Sequence, residues 1–375
     1  MPLKGEGKLS KRNIIPIFIP HYGCPNDCVF CNQRKITGMS TDISNSDVEN
    51  TILEYLSYFK RKDNIEVAFY GGSFTAIPID KQSEFLEVAH RYKEKGLVKF
   101  IRLSTRPDAI DYEILKNLKK YGVDIIELGV QSLDEEVLKL SNRGHDAACV
   151  YSSSKLIKDY GFSLGLQQMV GLPGDNIDKS IYTAREFVKL KPDCVRIYPT
   201  LVIKETALYK NLLDGKYKAL DLDSSIKFVA DILDIYYKND INVIRVGLQP
   251  TENINYDGDV VAGAFHPAYR QLVGAYYFKR GLLNYFKRSK NISEEILIFA
   301  SGKNVSNISG QKSKNKDEII KELGISKIKL REKDLGSFDV EVKAKFSDLI
   351  DIRDYYRWVD VFKISYYAGI QVLCK

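Results

Sequence analysis

The sequence predicts an α/β fold in which a parallel sheet closes or nearly closes into a barrel, followed by a small C-terminal α+β extension. Three observations carry this. Six strand-like apolar runs recur along the chain, IIPIFIP, IEVAFYGG, KFIRLST, DIIELGVQ, SLGLQQMVGL and CVRIYPTLV. Each of the first five precedes a helical pattern such as DVENTILEYLSYFK or DKQSEFLEVAHRYKEKG, the alternation expected of parallel strands joined by crossover helices. The glycine-bearing and polar motifs fall at the carboxyl ends of these runs, where such barrels carry out chemistry. With 375 residues, 44% hydrophobic and 28% charged, the chain is long enough for one large domain and a smaller one.

The first strand leads directly into Cys24, Cys28 and Cys31, spaced C-x-x-x-C-x-x-C. This spacing can supply three corners of a [4Fe-4S] cube and leave the fourth iron without a protein ligand, open to a small molecule. S-adenosylmethionine, with an amino and a carboxylate group to chelate that iron, is the expected occupant. The alternative is a closed zinc site with His21 as the fourth ligand. One compact hook fits it poorly, because structural zinc sites normally pair two separated hooks. Cys149, Cys194 and Cys374 are scattered and form no disulfide framework. Cys149 falls in a predicted helix and Cys194 opens a strand, so both are expected to pack in the interior.

The later strands end in residues of chemical use. Gly71-Gly72-Ser73 closes the second, Ser104-Thr105-Arg106 the third, Gln131 the fourth and Gly171-Leu172-Pro173 the fifth. Adjacent glycines let a ligand approach the backbone closely and could hold the methionine ammonium, although turns use Gly-Gly equally often. Gln131 at a strand tip and Arg143 one helix later could bind the ribose and carboxylate of the cofactor. A helix-end cation before Gly144 is the plainer reading of Arg143. His145 fits an exposed polar residue, a helix cap or a site residue.

The net charge of +7 is unevenly placed. Lys4, Lys8, Lys11 and Arg12 face one acid, Glu6, near the start, and YYFKRGLLNYFKRSKN carries Lys279, Arg280, Lys287, Arg288 and Lys290 with no acid. Basic residues interleaved with Tyr276, Tyr277, Phe278, Tyr285 and Phe286 suit a phosphate-tracking surface with stacking rings. The same spacing would serve an amphipathic helix with a solvated face. No apolar run approaches the ~20 residues of a membrane span, and MPLKGEGKLSKRN lacks the apolar stretch of a signal peptide. A cytoplasmic protein with no membrane contact is expected.

With these residues in view, the chain resembles the radical S-adenosylmethionine superfamily, and within it the radical domain of the Elongator complex catalytic subunit, a tRNA-modifying family. The segments that carry the resemblance are YGGSFTAIP, STRPDAID, IIELGVQSLDEEVLKLSNRGHD and VRIYPTLVIKETALYKNLLDGKYKAL, in family order within residues 14–250. The Gln131–Arg143 segment is also similar to oxygen-independent coproporphyrinogen oxidases. The resemblance implies a partial (β/α)6 barrel over residues 1–255 and an extension over 256–375. It implies a [4Fe-4S] cluster on Cys24, Cys28 and Cys31, and cofactor contacts at Phe30, Gly71, Gly72, Ser73, Ser104, Gln131, Arg143 and Gln167. It further implies reductive cleavage of S-adenosylmethionine to a 5′-deoxyadenosyl radical, an electron donor such as flavodoxin or ferredoxin, and tRNA as partner. Two departures are visible. The first two cluster cysteines lie closer together than in the Elongator subunit, and the tail DEIIKELGISKIKLREKDLGSFDVEVKAKFSDLIDIRDYY lacks the glycine-rich pyrophosphate-binding signature of that family's acetyltransferase domain. A radical enzyme on RNA, without acetyltransferase activity, is the leading expectation. A radical enzyme on a small metabolite or tetrapyrrole-like substrate, and a non-catalytic metal-bearing binding protein, are the alternatives.

Overall fold

The computed structural model describes residues 12–19, 28–31, 43–249, 254–289, 292–343 and 347–356. Cys24, His21, Lys290 and Cys374 lie outside the described residues. The chain divides into two compact units, residues 1–267 and 268–375.

The first unit begins β1 (Asn13–Ile19), α1 (Asn45–Tyr58), β2 (Ile65–Gly71), α2 (Ile79–Glu94), β3 (Phe100–Thr105), α3 (Tyr112–Lys120) and β4 (Ile125–Gln131). It continues through α4 (Glu135–Leu140), α5 (Ala147–Asp159), β5 (Ser163–Val170), α6 (Ile177–Leu190), β6 (Cys194–Pro199), β7 (Leu201–Ile203), α7 (Ala207–Leu213), α8 (Leu222–Lys238), β8 (Val243–Val246) and β9 (Val260–Gly263). Seven strands form one sheet in the order β1-β2-β3-β4-β5-β6-β8, every neighbouring pair parallel. A strictly sequential parallel order with helical crossovers is the winding of a partial (β/α) barrel. The sequence pattern showed six of these strands. The seventh, Val243–Val246, is a four-residue run too short to stand out by periodicity.

Local chemistry starts the crossover helices. Asp111, Asp134, Asp146, Asn176, Thr206 and Asp221 each accept a hydrogen bond from the backbone N–H three residues on, satisfying one orphan donor per helix. One face of the sheet presents Val67, Phe69, Ile101, Leu103, Ile126, Leu128, Leu164, Leu166 and Val195, all buried in the layer of helices. Each such side chain contributes ~1.5–3 kcal/mol of transfer free energy. The strands β7 and β9 pair antiparallel and gather Leu201, Ile203, Ile254, Val260 and Phe265 into a small core, which keeps the chain in the first unit up to Pro267.

The second unit comprises α9 (Tyr269–Arg288), β10 (Glu295–Ala300), α10 (Gly302–Ser309), α11 (Lys314–Leu323), β11 (Lys327–Glu332), β12 (Asp339–Lys343), β13 (Ser347–Asp351) and α12 (Arg353–Tyr356). Its mixed sheet runs β11-β10-β12-β13. Tyr277, Phe278, Tyr285 and Phe286 of α9 are buried, and Tyr277 stacks on Tyr356 with ring centroids 4.2 Å apart. These rings therefore form the core of the unit. Among the described residues no helix is long and apolar enough to cross a membrane.

Candidate active site

The carboxyl ends of β2, β3 and β4 are knitted together. Gly71 has φ +106°, and a Cβ there would lie 2.3 Å from the carbonyl oxygen of Ile19, so only glycine lets β2 end against β1. The N–H of Gly72 donates to the same carbonyl at 3.1 Å. Ser73 is buried; its hydroxyl lies 2.9 Å from Thr105 Oγ1 and accepts from the Arg106 N–H at 3.0 Å. The amide of Gly72 and the hydroxyl of Ser73 thus have structural partners within the rim. On the next strands, Gln167 Nε2 donates to Ser104 Oγ at 3.3 Å and to Glu127 Oε2 at 3.1 Å.

At the tip of β4 the register shifts between Leu128 and Gln131, and Gln131 takes φ +74°, a left-handed conformation uncommon outside glycine. The bulge re-aims a glutamine whose Oε1 is buried without a hydrogen-bond partner. Arg143 reaches back from beyond α4. Its Nη1 donates to Cys28 Sγ at 3.1 Å and its Nη2 to the Gly129 carbonyl, while Nε is buried without a partner. The Cys28–Cys31 segment is held by Cys31 N–H to Cys28 O (2.9 Å), Val29 N–H to Ser141 O (3.2 Å) and Leu208 N–H to Val29 O (2.7 Å). Phe30 belongs to this segment and is half-buried. His145 is buried and neither ring nitrogen has a hydrogen bond of good geometry. Burial, with the guanidinium of Arg143 alongside, pushes its pKa down to about 4, so the ring is neutral near pH 7.

Buried polar atoms without partners are rare, and several converging at one rim are what a bound polar ligand would satisfy. The donor set fits the expected groups: Cys28 and Cys31 offer soft sulfur suited to iron, and the unpaired Nε of Arg143, whose Nη1 meets Cys28, is suited to a carboxylate. Cys28 and Cys31 are described; Cys24 lies outside the described residues.

The barrel interior holds a feature that sequence reading missed. Glu66 on β2, Arg102 on β3, Glu127 on β4 and Arg196 on β6 form a chain of ion pairs. Arg102 Nε lies 2.6 Å and Nη2 3.1 Å from the Glu66 carboxylate, and Arg102 Nη1 donates to Glu127. Arg196 donates from Nε and Nη2 to Glu127 at 2.6 and 3.0 Å, and Arg12 pairs with Glu66 from the other end. Burial alone would raise the Glu127 pKa, but Arg196 and Arg102 overcome it and bring the carboxyl down to about 2. Gly165 makes room: a Cβ there would lie 2.6 Å from Glu127 Cγ. The signal was present as one charge in each of IEVAFYG, FIRLST, IIELGVQ and CVRIYP, alternating in sign from strand to strand.

In the second unit the basic residues of α9 have partners. Lys279 Nζ is 2.5 Å from Glu318 and Lys287 Nζ 2.6 Å from Glu322. Arg280 lies 4.8 Å above the Tyr356 ring and Arg288 5.3 Å above that of Tyr355.

This geometry meets a match in known proteins. Residues 18–187 match the Radical SAM superfamily and residues 192–278 the Radical_SAM C-terminal domain. The chain belongs to the radical S-adenosylmethionine superfamily, whose cofactors are a [4Fe-4S] cluster and S-adenosylmethionine. It is similar to Elongator complex protein 3 of Bos taurus, with 34% identity over 191 residues, 46% of this chain and 35% of that protein. It is also similar to tRNA uridine(34) acetyltransferase of Methanocaldococcus infernus, 28% identical over 258 residues, 59% of this chain and 48% of that protein. The chain thus spans between about a third and a half of the length of these relatives. In fold it is similar to the solved structure of the archaeal Methanocaldococcus infernus Elp3 with an N-terminal deletion, at TM-score 0.58 and 20% identity, covering 92% of this chain and 76% of that one.

Proposed function

We propose that this radical S-adenosylmethionine enzyme modifies tRNA, with Cys24, Cys28 and Cys31 as the cluster ligands. When bound, the cluster supplies the electron that cleaves S-adenosylmethionine to methionine and a 5′-deoxyadenosyl radical. The chain's own residues hold the cofactor. Arg143 neutralises its carboxylate, Gln131 accepts from one of its ribose hydroxyls through the unpaired Oε1, and Ser104, Gln167, Phe30 and the Gly71-Gly72-Ser73 turn shape the pocket around it. The observation that carries this assignment is the Arg143–Cys28 contact beside the unpaired atoms of Gln131 and His145.

The substrate reading is carried by the similarity to a tRNA uridine(34) acetyltransferase. Lys279, Arg280, Lys287 and Arg288, with Lys290 outside the described residues, are the proposed phosphate contacts. The ion pair of Lys287 does not oppose this. The Lys287–Glu322 pair is about half exposed on both sides, and such pairs are worth ~0–1 kcal/mol, so a phosphate can take the lysine over. A reduced flavodoxin- or ferredoxin-type protein is proposed as electron donor.

The experiment is tRNA binding against salt. Each neutralised phosphate releases counterions, so neutralising Lys287, Arg288 and Lys290 together should flatten the slope of log affinity against log salt by about one unit per contact. Cleavage of S-adenosylmethionine should persist. An unchanged slope would return α9 to the role of a solvated face and favour the small-metabolite substrate.

A further inference from the structure

The ion-pair chain inside the barrel is unbalanced. Arg12, Arg102 and Arg196 supply three guanidiniums against the two carboxylates of Glu66 and Glu127. The other titratable groups in the chain are neutral: burial drives the Cys194 thiol and the Tyr70 phenol each up to about 12. Among the described residues of this ion-pair chain, guanidiniums outnumber carboxylates, and positive charge drawn out of water favours an anion beside it.

The free end of that charge can be located. Arg196 spends Nε and Nη2 on Glu127, and Nη2 also donates to the Tyr70 hydroxyl at 2.9 Å. Its Nη1 has no hydrogen-bond partner among the described residues, and the side chain keeps 11% of its surface accessible. Tyr70 accepts from Arg196, which leaves its own O–H proton free to donate. Two unspent donors, a guanidinium N–H and a phenol O–H, thus stand side by side. Both lie on the inner face of the barrel: Tyr70 is four residues along β2 from Glu66, and Arg196 faces Gln167 in the register of β5 and β6.

We propose that Arg196 Nη1 and the Tyr70 hydroxyl form a carboxylate-binding site in the barrel interior, holding a carboxylate-bearing substrate or co-substrate beside the cofactor. The guanidinium supplies a positive charge for an anion, and adjacent donors suit the two oxygens of a carboxylate. A phosphate monoester carries about two charges and three acceptor oxygens, more than this pair can satisfy. Glu127 grips Arg196 at two points, so the guanidinium is preorganised and loses little freedom on binding. The inference deepens the radical-enzyme reading by adding a contact on the substrate side. It is tested by anion binding, so its failure is distinct from any failure of cofactor cleavage.

Acetate is the probe, titrated into the anaerobically reconstituted full chain and followed by NMR saturation transfer. The wild-type protein should bind acetate saturably. Arg196→Gln should weaken binding about tenfold or more, the loss expected for one charge-assisted hydrogen bond. Tyr70→Phe removes one donor and leaves every ion pair standing, so it remains informative if Arg196→Gln fails to fold; it should weaken acetate severalfold. Both folded variants should bind S-adenosylmethionine as the wild type does. Equal acetate binding by wild type and Tyr70→Phe would overturn the proposal. So would tighter binding of inorganic phosphate than of acetate, or loss of S-adenosylmethionine affinity in both variants, which would make the pair a cofactor contact.

Discussion

Arg143 Nη1 lies 3.1 Å from the Sγ of Cys28, a residue 115 positions earlier in the chain, and Arg143 Nε is buried with no partner of its own. A cation that only complemented the end of α4 would sit on that helix's last carbonyls. This one ties the cysteine segment to the tip of β4 and keeps a donor in reserve.

Arg143→Ala should therefore weaken S-adenosylmethionine binding by roughly tenfold or more, since a hydrogen bond to a charged group is worth ~1.5–3 kcal/mol. Iron content should be retained, because the thiolates remain. Equilibrium binding of the cofactor to reconstituted protein is the measurement. Normal affinity combined with a lowered melting temperature would mean that Arg143 is a structural tie alone.

Replacing Cys24, Cys28 or Cys31 with alanine should abolish the cluster, because neighbouring oxygen groups substitute poorly for soft sulfur. Cys149→Ala and Cys194→Ala should keep full iron and sulfide; Cys194 is a buried neutral thiol inside the barrel. Iron and sulfide analysis of protein made without oxygen decides this. Stoichiometric zinc without sulfide would overturn it in favour of the zinc site.

Glu127→Gln should cost about 3–5 kcal/mol in chemical unfolding of the apo protein, since it leaves Arg102 and Arg196 facing each other without their shared carboxylate. Gly165→Ala should cost ~1–3 kcal/mol by forcing a methyl against Glu127. The carboxyl pKa falls from 4.5 to about 2 on folding, so the contribution of Glu127 is complete above pH 4.5 and fades as pH drops toward 2. A cost below about 1 kcal/mol for Glu127→Gln would show that the ion-pair chain is not formed.

His145 makes a second acid-sensitive term. Its pKa falls from 6.5 to about 4 on folding, so the unfolded chain binds the extra proton between those values and stability drops as pH falls through that window, by at most about 3 kcal/mol. Asp175, raised to about 6 mainly by burial, works in the opposite direction over part of the same range. His145→Gln isolates the first term: the difference in unfolding free energy between variant and wild type should change between pH 6.5 and pH 4, in favour of the variant as pH falls. A constant difference would mean that His145 titrates normally.

Much of the first unit was legible because its information is local. Apolar runs alternating with helical patterns, glycine-bearing and polar motifs at the ends of those runs, and a cysteine triplet after the first are all set by neighbouring residues, and they point to a parallel sheet with chemistry at its carboxyl rim. The same locality explains what stayed hidden. Val243–Val246 became a strand because the edge of β6 was available to pair with it, not because four residues announce themselves. Lys279 and Lys287 look like free cations until α11 brings Glu318 and Glu322 beside them.

By itself, the sequence determined the α/β winding, the cysteine spacing and the position of Gln131 at a strand tip. The tertiary structure alone decided that Arg143 meets Cys28, that Gln131 turns left-handed over a bulge, and that Glu66, Arg102, Glu127 and Arg196 join into one chain of charge. Each charge, read in its own strand, is only a polar interruption of an apolar run. Partners 36, 25 and 69 residues apart come together because strand register fixes which side chains share the barrel's inner face, and removal from water makes their pairing obligatory.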